Sequence, residues 1–273
     1  MPLDVSPLRP GMAALLGLPL DRHSSFMFGP AEAPARIRER LHCGSSNYCC
    51  EDGLDLGMAD GWKDLGDLEL EQIDEPFALI EDAASQVLDA GARVVALGGD
   101  HSVTLPLLRA HARRHQELNV LHLDAHADLY DELDGNRYSH ACPMLRALEE
   151  GLIKRLVQAG LRTMRPVDRD RAERYGVEVV EMRHWEPGWR PTFDGPDYLS
   201  LDLDCLDPAF APGVSHHEPG GFTTRAVIRI IQQLGHPLLG ADLVELNPRR
   251  DPDGVTAMVA VKLLKEILGK MLG

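Results

Sequence analysis

The sequence predicts an α/β fold: three layers, helix–sheet–helix (αβα), around a central, mostly parallel sheet. Three observations predict it. Short apolar runs bounded by Gly or charged residues alternate with segments whose apolar residues fall three or four apart. The alternation repeats at roughly 20–30 residue intervals, as strand–helix–strand units require. The chain has 273 residues, 44% hydrophobic and 26% charged, with no internal repeat and no linker rich in Pro, Gly or Ser. Residues 1–273 therefore read as a single domain with a sizeable core.

In chain order, the run 12–18 reads as a buried strand and 31–41 as a helix. Residues 76–90 have helical period, 94–97 are a short apolar strand, and 103–115 are again helical. The strand 119–123 precedes the helix 143–150, which opens on Pro143, a residue that a first helical turn tolerates. The strand 155–159 precedes the helix 167–175, led in by Pro166. Strands follow at 178–180 and 198–203, then the helix 224–234, the strand 238–244 and the helix 255–268. The segment MRHWEPGWRPTFDGPD, 182–197, has three prolines and no helical period. It reads either as a surface for subunit contact around Trp185 and Trp189 or as a compact loop.

Charge and composition narrow the partners. Asp and Glu number 43 against 28 Lys and Arg, a formal net charge of -15. That balance argues against nucleic acid and against an anionic membrane, and it suits a cationic ligand. No stretch approaches the ~18–20 apolar residues that span a bilayer. The opening MPLDVSPLRPG lacks the basic-then-apolar pattern of a signal peptide, so none is expected. Five cysteines, Cys43, Cys49, Cys50, Cys142 and Cys205, have no regular spacing, which suits a reducing cytoplasm. His42 with Cys43, Cys49 and Cys50 fits no zinc spacing and reads as a loop with free thiols.

Ligands of parallel α/β sheets bind at the carboxyl ends of the strands. Three such ends here carry unusual residues: Gly98-Gly99-Asp100-His101-Ser102, Asp124-Ala125-His126-Ala127-Asp128, and Asp202-Leu203-Asp204. In an extended chain, residues i, i+2 and i+4 share a face, so Asp124, His126 and Asp128 should converge, as should Asp202 and Asp204. A single Asp at a strand end is ordinarily a cap or turn residue. Four Asp and two His in three strand-end loops exceed what capping explains, and burying them is costly unless they are paired or metal-bound. Carboxylates with imidazoles suit Mn²⁺, Fe²⁺, Co²⁺, Ni²⁺ or Zn²⁺. More than four ligands, with carboxylates able to bridge, suggests two ions about 3.5–4 Å apart.

GGDHS, DAHAD and SLDLDCLDP, in that order, resemble the three metal motifs of the ureohydrolases, the family of arginase and agmatinase. Asp242 to Pro248 resembles that family's acidic strand end, Gly220-Gly221-Phe222-Thr223 its Gly-Gly-Leu-Thr segment, and residues 17–21 and 28–38 its opening. The resemblance implies two Mn²⁺ per chain, with Ni²⁺ or Co²⁺ possible. His101, Asp124, Asp128 and Asp202 are implied to hold one ion, and Asp124, His126, Asp202 and Asp204 the other. It implies attack of a metal-bridging hydroxide on a guanidinium carbon, with Asp204 stabilising the intermediate. Glu245 is implied to bind the guanidinium with help from Thr223, and His140 to shuttle protons. A loop histidine with no such task is the alternative for His140. The family's trimers and hexamers imply a homo-oligomer.

The substrate is read from what departs from arginases. Gly160-Leu161-Arg162 is followed by Thr163 rather than Asp, and the loop after DAHAD lacks an obvious α-carboxylate site. Asp131, with Glu132 and Asp134, is expected either to attract the distal ammonium of agmatine or to form a solvated acidic loop. Arg137 could instead bind a carboxylate. The expectation is agmatine hydrolysis to putrescine and urea. Guanidino-acid hydrolase, arginase, formimidoylglutamase and a non-catalytic binding protein on the same fold are the alternatives.

Overall fold

Side chains on a strand alternate between the two faces of its sheet, and here both faces are buried. On β1 (Ala13–Leu18), Ala13 and Leu15 enter one core, while Ala14, Leu16 and Leu18 enter the other. β3 (Arg93–Gly98) and β4 (Asn119–Leu123) divide in the same way: Val95, Leu97, Leu121 and Leu123 on one side, Val94, Ala96 and Val120 on the other. A sheet apolar on both faces needs a helical layer on each. The computed structural model, which describes residues 3–115, 117–195, 197–236 and 238–273, shows those layers.

The eight-stranded sheet also contains β2 (Trp62–Asp67), β5 (Arg155–Leu161), β6 (Glu178–Glu181), β7 (Asp197–Asp202) and β8 (Leu238–Val244). Its order is β2-β1-β3-β8-β7-β4-β5-β6, and every pairing is parallel. On one face lie α1 (Ala33–Leu41), α6 (Thr224–Gln233) and α7 (Val255–Leu272). On the other lie α2 (Pro76–Asp89), α3 (Thr104–Ala112), α4 (Pro143–Glu149) and α5 (Pro166–Tyr175). No helix among the described residues is long and apolar enough to cross a membrane.

Two features differ from expectation or resolve it. β2, with the sequence WKDLGD, escapes the apolar-run criterion because it is an edge strand, half-buried and paired only with β1. The proline-rich segment after β6 forms one 3-10 turn, Met182–His184, and its described residues then fold back as a compact loop. Trp185 packs edge-on against Phe222 at 5.3 Å, and Trp189 joins the same core. Pro196 of that segment lies outside the described residues.

The strand order matters for chemistry. β3, β8, β7 and β4 are consecutive neighbours in the middle of the sheet, so their carboxyl ends meet at one rim. Close packing at this rim leaves no room for a side chain at Gly160 of β5. Its φ is +105°, and a Cβ there would lie 2.6 Å from the carbonyl oxygen of Asp124 and 2.9 Å from the Phe222 ring. Replacing Gly160 with Ala is expected to lower stability by about 1–3 kcal/mol. The check is urea denaturation: an unchanged midpoint would show that the contact is absent.

Candidate metal centre

The sequence DAHAD leaves the ladder at Asp124, whose amide still donates to Ala159 O at 3.1 Å. The chain then turns. The amide of His126 donates to Asp124 Oδ1 at 2.6 Å, and Asp128 adopts a left-handed backbone with φ +51°. The three side chains therefore meet through a turn, not by the extended alternation expected from their spacing. Asp202 and Asp204 also depart from it. Asp202 caps the 3-10 turn Leu203–Cys205 by accepting from the Asp204 amide at 2.7 Å. Arg162 holds this turn, donating to Asp204 O at 2.7 Å and to Glu218 O at 2.9 Å.

His101 opens a 3-10 turn beyond β3, capped by Asp100. Its Nδ1 lies 3.1 Å from carboxylate oxygens of Asp124, Asp128 and Asp202. Yet this buried nitrogen has no hydrogen-bond partner of sound geometry among the described residues. His126 Nδ1 lies 3.4 Å from Asp124 and 3.0 Å from Asp204. Asp124 thus belongs to both groups. One potential metal site comprises His101, His122, Asp124 and Asp128, the other Asp124, His126 and Asp204.

His122 is one residue that the sequence reading does not single out. It sits inside β4, and its Nε2 is 2.8 Å from Asp124 Oδ2. Gln158 Nε2 donates to Ala127 O at 2.6 Å and contacts His122 Nδ1 at 2.9 Å. With Nδ1 accepting from that amide, His122 Nε2 carries the hydrogen and donates to Asp124. The signal was a lone polar residue in the buried run Asn-Val-Leu-His-Leu.

The electrostatics of the cluster are lopsided. Asp124, Asp128, Asp202 and Asp204 are buried, and among the described residues they have no Lys or Arg ion pair. Burial, then Asp204 and Asp124, pushes the Asp202 carboxyl well above its usual range. Burial alone would raise Asp124 too, but His122, His101 and His126 hold it well below. Burial would lower His101, and its three carboxylate neighbours raise it well above an ordinary imidazole. A ring nitrogen with no hydrogen-bond partner among the described residues, set among carboxylates that no Lys or Arg there neutralises, is what divalent cations with oxygen and imidazole preference fit.

Beside the cluster is a cavity of about 190 Å³, lined also by Ser25, Tyr130, Leu133, His140, His216 and Glu245. Glu245 follows β8 with a left-handed backbone, φ +65°, and its amide donates to Gly99 O at 2.9 Å. Glu245 Oε1 accepts from the His101 amide at 2.9 Å and meets His140 Nδ1 at 2.8 Å. Burial opposes ionisation of Glu245, but His140 holds its carboxyl below the usual value. Burial likewise lowers His140, and Glu245 outweighs it, raising the imidazole to about 9. Ser25 Oγ lies 2.8 Å from the other nitrogen, His140 Nε2. Sequence reading missed both Ser25 and His216, whose ring lies 5.3 Å from that of His140.

Three expected substrate contacts fall elsewhere. Thr223 is exposed and caps α6, accepting from the Ala226 amide at 3.1 Å. Asp131 accepts from Arg146 at 2.7 Å, and Arg137 leans on Asp131 and Glu149 at 3.5 and 3.6 Å. None of the three lines the cavity. At the thiol-rich loop, buried Cys50 donates to Lys265 O at 3.1 Å, and Cys43 contacts Ser45. No metal-binding group forms there among the described residues.

Comparison with known proteins agrees with this geometry. The model of the arginase family matches residues 12–269. Arginase 1, mitochondrial, of Arabidopsis thaliana is 43% identical over 276 residues, covering 94% of this chain and 80% of the relative. The human guanidino acid hydrolase, mitochondrial, is 36% identical, covering 98% and 80%. The solved arginase of Medicago truncatula superposes with a TM-score of 0.91 at 41% identity, covering 95% and 87%. Rim geometry, motif order and whole-chain similarity converge, and the chain belongs to the arginase family.

Proposed function

We propose that this family member hydrolyses the guanidino group of L-arginine to urea and ornithine, with two divalent metal ions at the aspartate–histidine cluster. The observation that carries the chemistry is His101 Nδ1, equidistant from three buried carboxylates and without a hydrogen-bond partner among the described residues. His101, Asp124, Asp128 and Asp202 are the proposed ligands of one ion; Asp124, His126, Asp202 and Asp204 those of the other. Mn²⁺ is the proposed metal. Bound there, such ions would lower the pKa of a coordinated water and so would supply a nucleophile at neutral pH.

The chain's own groups do the rest. Glu245, buried and held anionic by His140, offers Oε2 to a planar guanidinium, whose forked N–H donors suit a carboxylate. His140 holds a proton against Glu245 and faces the cavity, where it can deliver that proton to the leaving amine.

The choice of arginine rests on the similarity to arginases along the whole chain. Agmatine loses its main support, because Arg146 and Arg137 occupy Asp131. Apart from the clustered aspartates and Glu245, the described cavity lining offers no carboxylate for a distal ammonium. The same observation bears equally on the α-ammonium of arginine, and it supports a second reading, a guanidino-acid substrate such as 4-guanidinobutyrate, as does the similarity to the human guanidino acid hydrolase.

Urea release, measured with added Mn²⁺ on L-arginine, 4-guanidinobutyrate and agmatine, tests both levels. The highest kcat/KM is expected on arginine. A clear preference for agmatine overturns the substrate assignment, and no urea from any of them overturns the reaction. Asp124→Asn is expected to strip both ions and to lower turnover by about 10³-fold or more. His140→Ala should keep the ions while kcat falls by ~10²–10⁴-fold.

A pH experiment isolates the Glu245–His140 pair. Because the folded imidazole titrates near 9 rather than 6.5, the pair stabilises the fold fully below about pH 6.5. That contribution fades as pH rises through about 9. NMR titration of His140 in chelator-stripped protein should show a midpoint near 9. In Glu245→Gln, burial is left unopposed by its partner, and the midpoint should drop markedly. A wild-type midpoint at or below 6.5 would contradict the pairing.

A further inference from the structure

Asp242, in the middle of β8, is fully buried, and among the described residues no Lys or Arg contacts it. Three hydroxyls satisfy it instead. Ser200 Oγ donates to Oδ1 at 2.8 Å; Thr104 Oγ1 and Tyr198 OH donate to Oδ2 at 3.0 and 2.7 Å. Ser200 and Asp242 are register partners on adjacent strands, so the sheet itself sets their approach. Tyr198 is pinned by the His111 ring, edge-on at 4.9 Å, over Gly240, where a Cβ would lie 2.8 Å from the tyrosine ring.

A serine hydroxyl has one hydrogen. Ser200 commits it to Asp242, so toward His101 Nε2, 2.9 Å away, its oxygen can only accept. In the neutral ring that a metal ion requires, His101 Nε2 therefore carries the ring hydrogen, and Nδ1 keeps its lone pair. That is the nitrogen facing Asp124, Asp128 and Asp202. A histidine ligand needs its free nitrogen at the metal, and an outer hydrogen bond selects it. His126 presents its own Nδ1 to Asp124 and Asp204 and has no contact with Ser200.

We propose that Asp242, acting through Ser200, is a positioning residue that locks the His101 tautomer and so sets the affinity of one metal ion of the pair, leaving the other to His126. This rests on the two-ion reading above. Asp242→Asn makes the point sharply. If the amide oxygen serves Thr104 and Tyr198, the amide nitrogen faces Ser200. The serine hydrogen then turns to His101 Nε2, which drives the ring hydrogen onto Nδ1, where the ion must bind. Ser200→Ala removes the acceptor without imposing the wrong tautomer.

The test is calorimetric titration of chelator-stripped wild type, Ser200→Ala and Asp242→Asn with Mn²⁺, with circular dichroism to establish that each is folded. Wild type is expected to bind two ions per chain. Each variant should keep one ion at wild-type affinity and bind the other ~10–100-fold more weakly, Asp242→Asn being the more impaired. Two ions at wild-type affinity in folded Ser200→Ala would overturn the proposal, as would equal weakening of both ions. Wild type that binds no ion would overturn the two-ion reading beneath it.

Discussion

Four buried aspartates that repel one another are the constraint around which this fold is organised. Asp124, Asp128, Asp202 and Asp204 lie where β4 and β7 end, and among the described residues only histidines, and no Lys or Arg, form ion pairs with them. Carboxylates removed from water without a counter-charge are costly, by several kcal/mol each even after relaxation. The surrounding structure holds them in place regardless. Two non-glycine residues, Asp128 and Glu245, take left-handed backbones at the rim, a strain of roughly 1–3 kcal/mol each. Arg162 is spent on carbonyl oxygens of the Asp204 turn rather than on any carboxylate of the cluster. Such expense makes sense where divalent cations supply the missing charge.

Around the cluster, each functional side chain is held by a partner from another strand. Gln158 of β5 orients His122 of β4, which donates to Asp124. Asp242 of β8 orients Ser200 of β7, which accepts from His101 beyond β3. Glu245 beyond β8 ties the His101 backbone to His140. These chains run across the sheet, perpendicular to its strands. They depend on the order β3-β8-β7-β4, which puts four chemically different strand ends side by side. A sheet with the same strands in another order would have the same motifs and no site.

Much of this was legible in the sequence. Seven strands and seven helices announce themselves by apolar period, since a parallel sheet buried on both faces must be apolar throughout. β2 did not, because an edge strand half in water can be as polar as Trp-Lys-Asp-Leu-Gly-Asp. The aspartates and histidines at the strand ends stood out because charge at the end of a buried strand is rare. How they converge was not legible. The alternation argument assumed extended chain, whereas turns at Asp128 and Leu203–Cys205 aim the side chains. His122, Gln158, Ser200 and Asp242 act through contacts between strands distant in sequence, and no local pattern encodes them. Asp131, Arg137 and Thr223 show the converse: a suggestive charge or motif position whose side chain has nearer partners (Arg146, Glu149, the Ala226 amide) and lies outside the cavity lining.

The central claim is that divalent cations, rather than Lys or Arg, are the charge partners for which the buried carboxylates are placed. In the chain alone they hold protons, directly on a raised Asp202 and through a raised His101 and His126. Ions that bind must displace those protons. Proton release on adding Mn²⁺ to chelator-stripped protein, measured near pH 7 in weakly buffered solution, is the most direct measurement. The account predicts that protons leave as the ions bind and that thermal stability rises with metal concentration. Binding without proton release, or no effect of metal on stability, would contradict it.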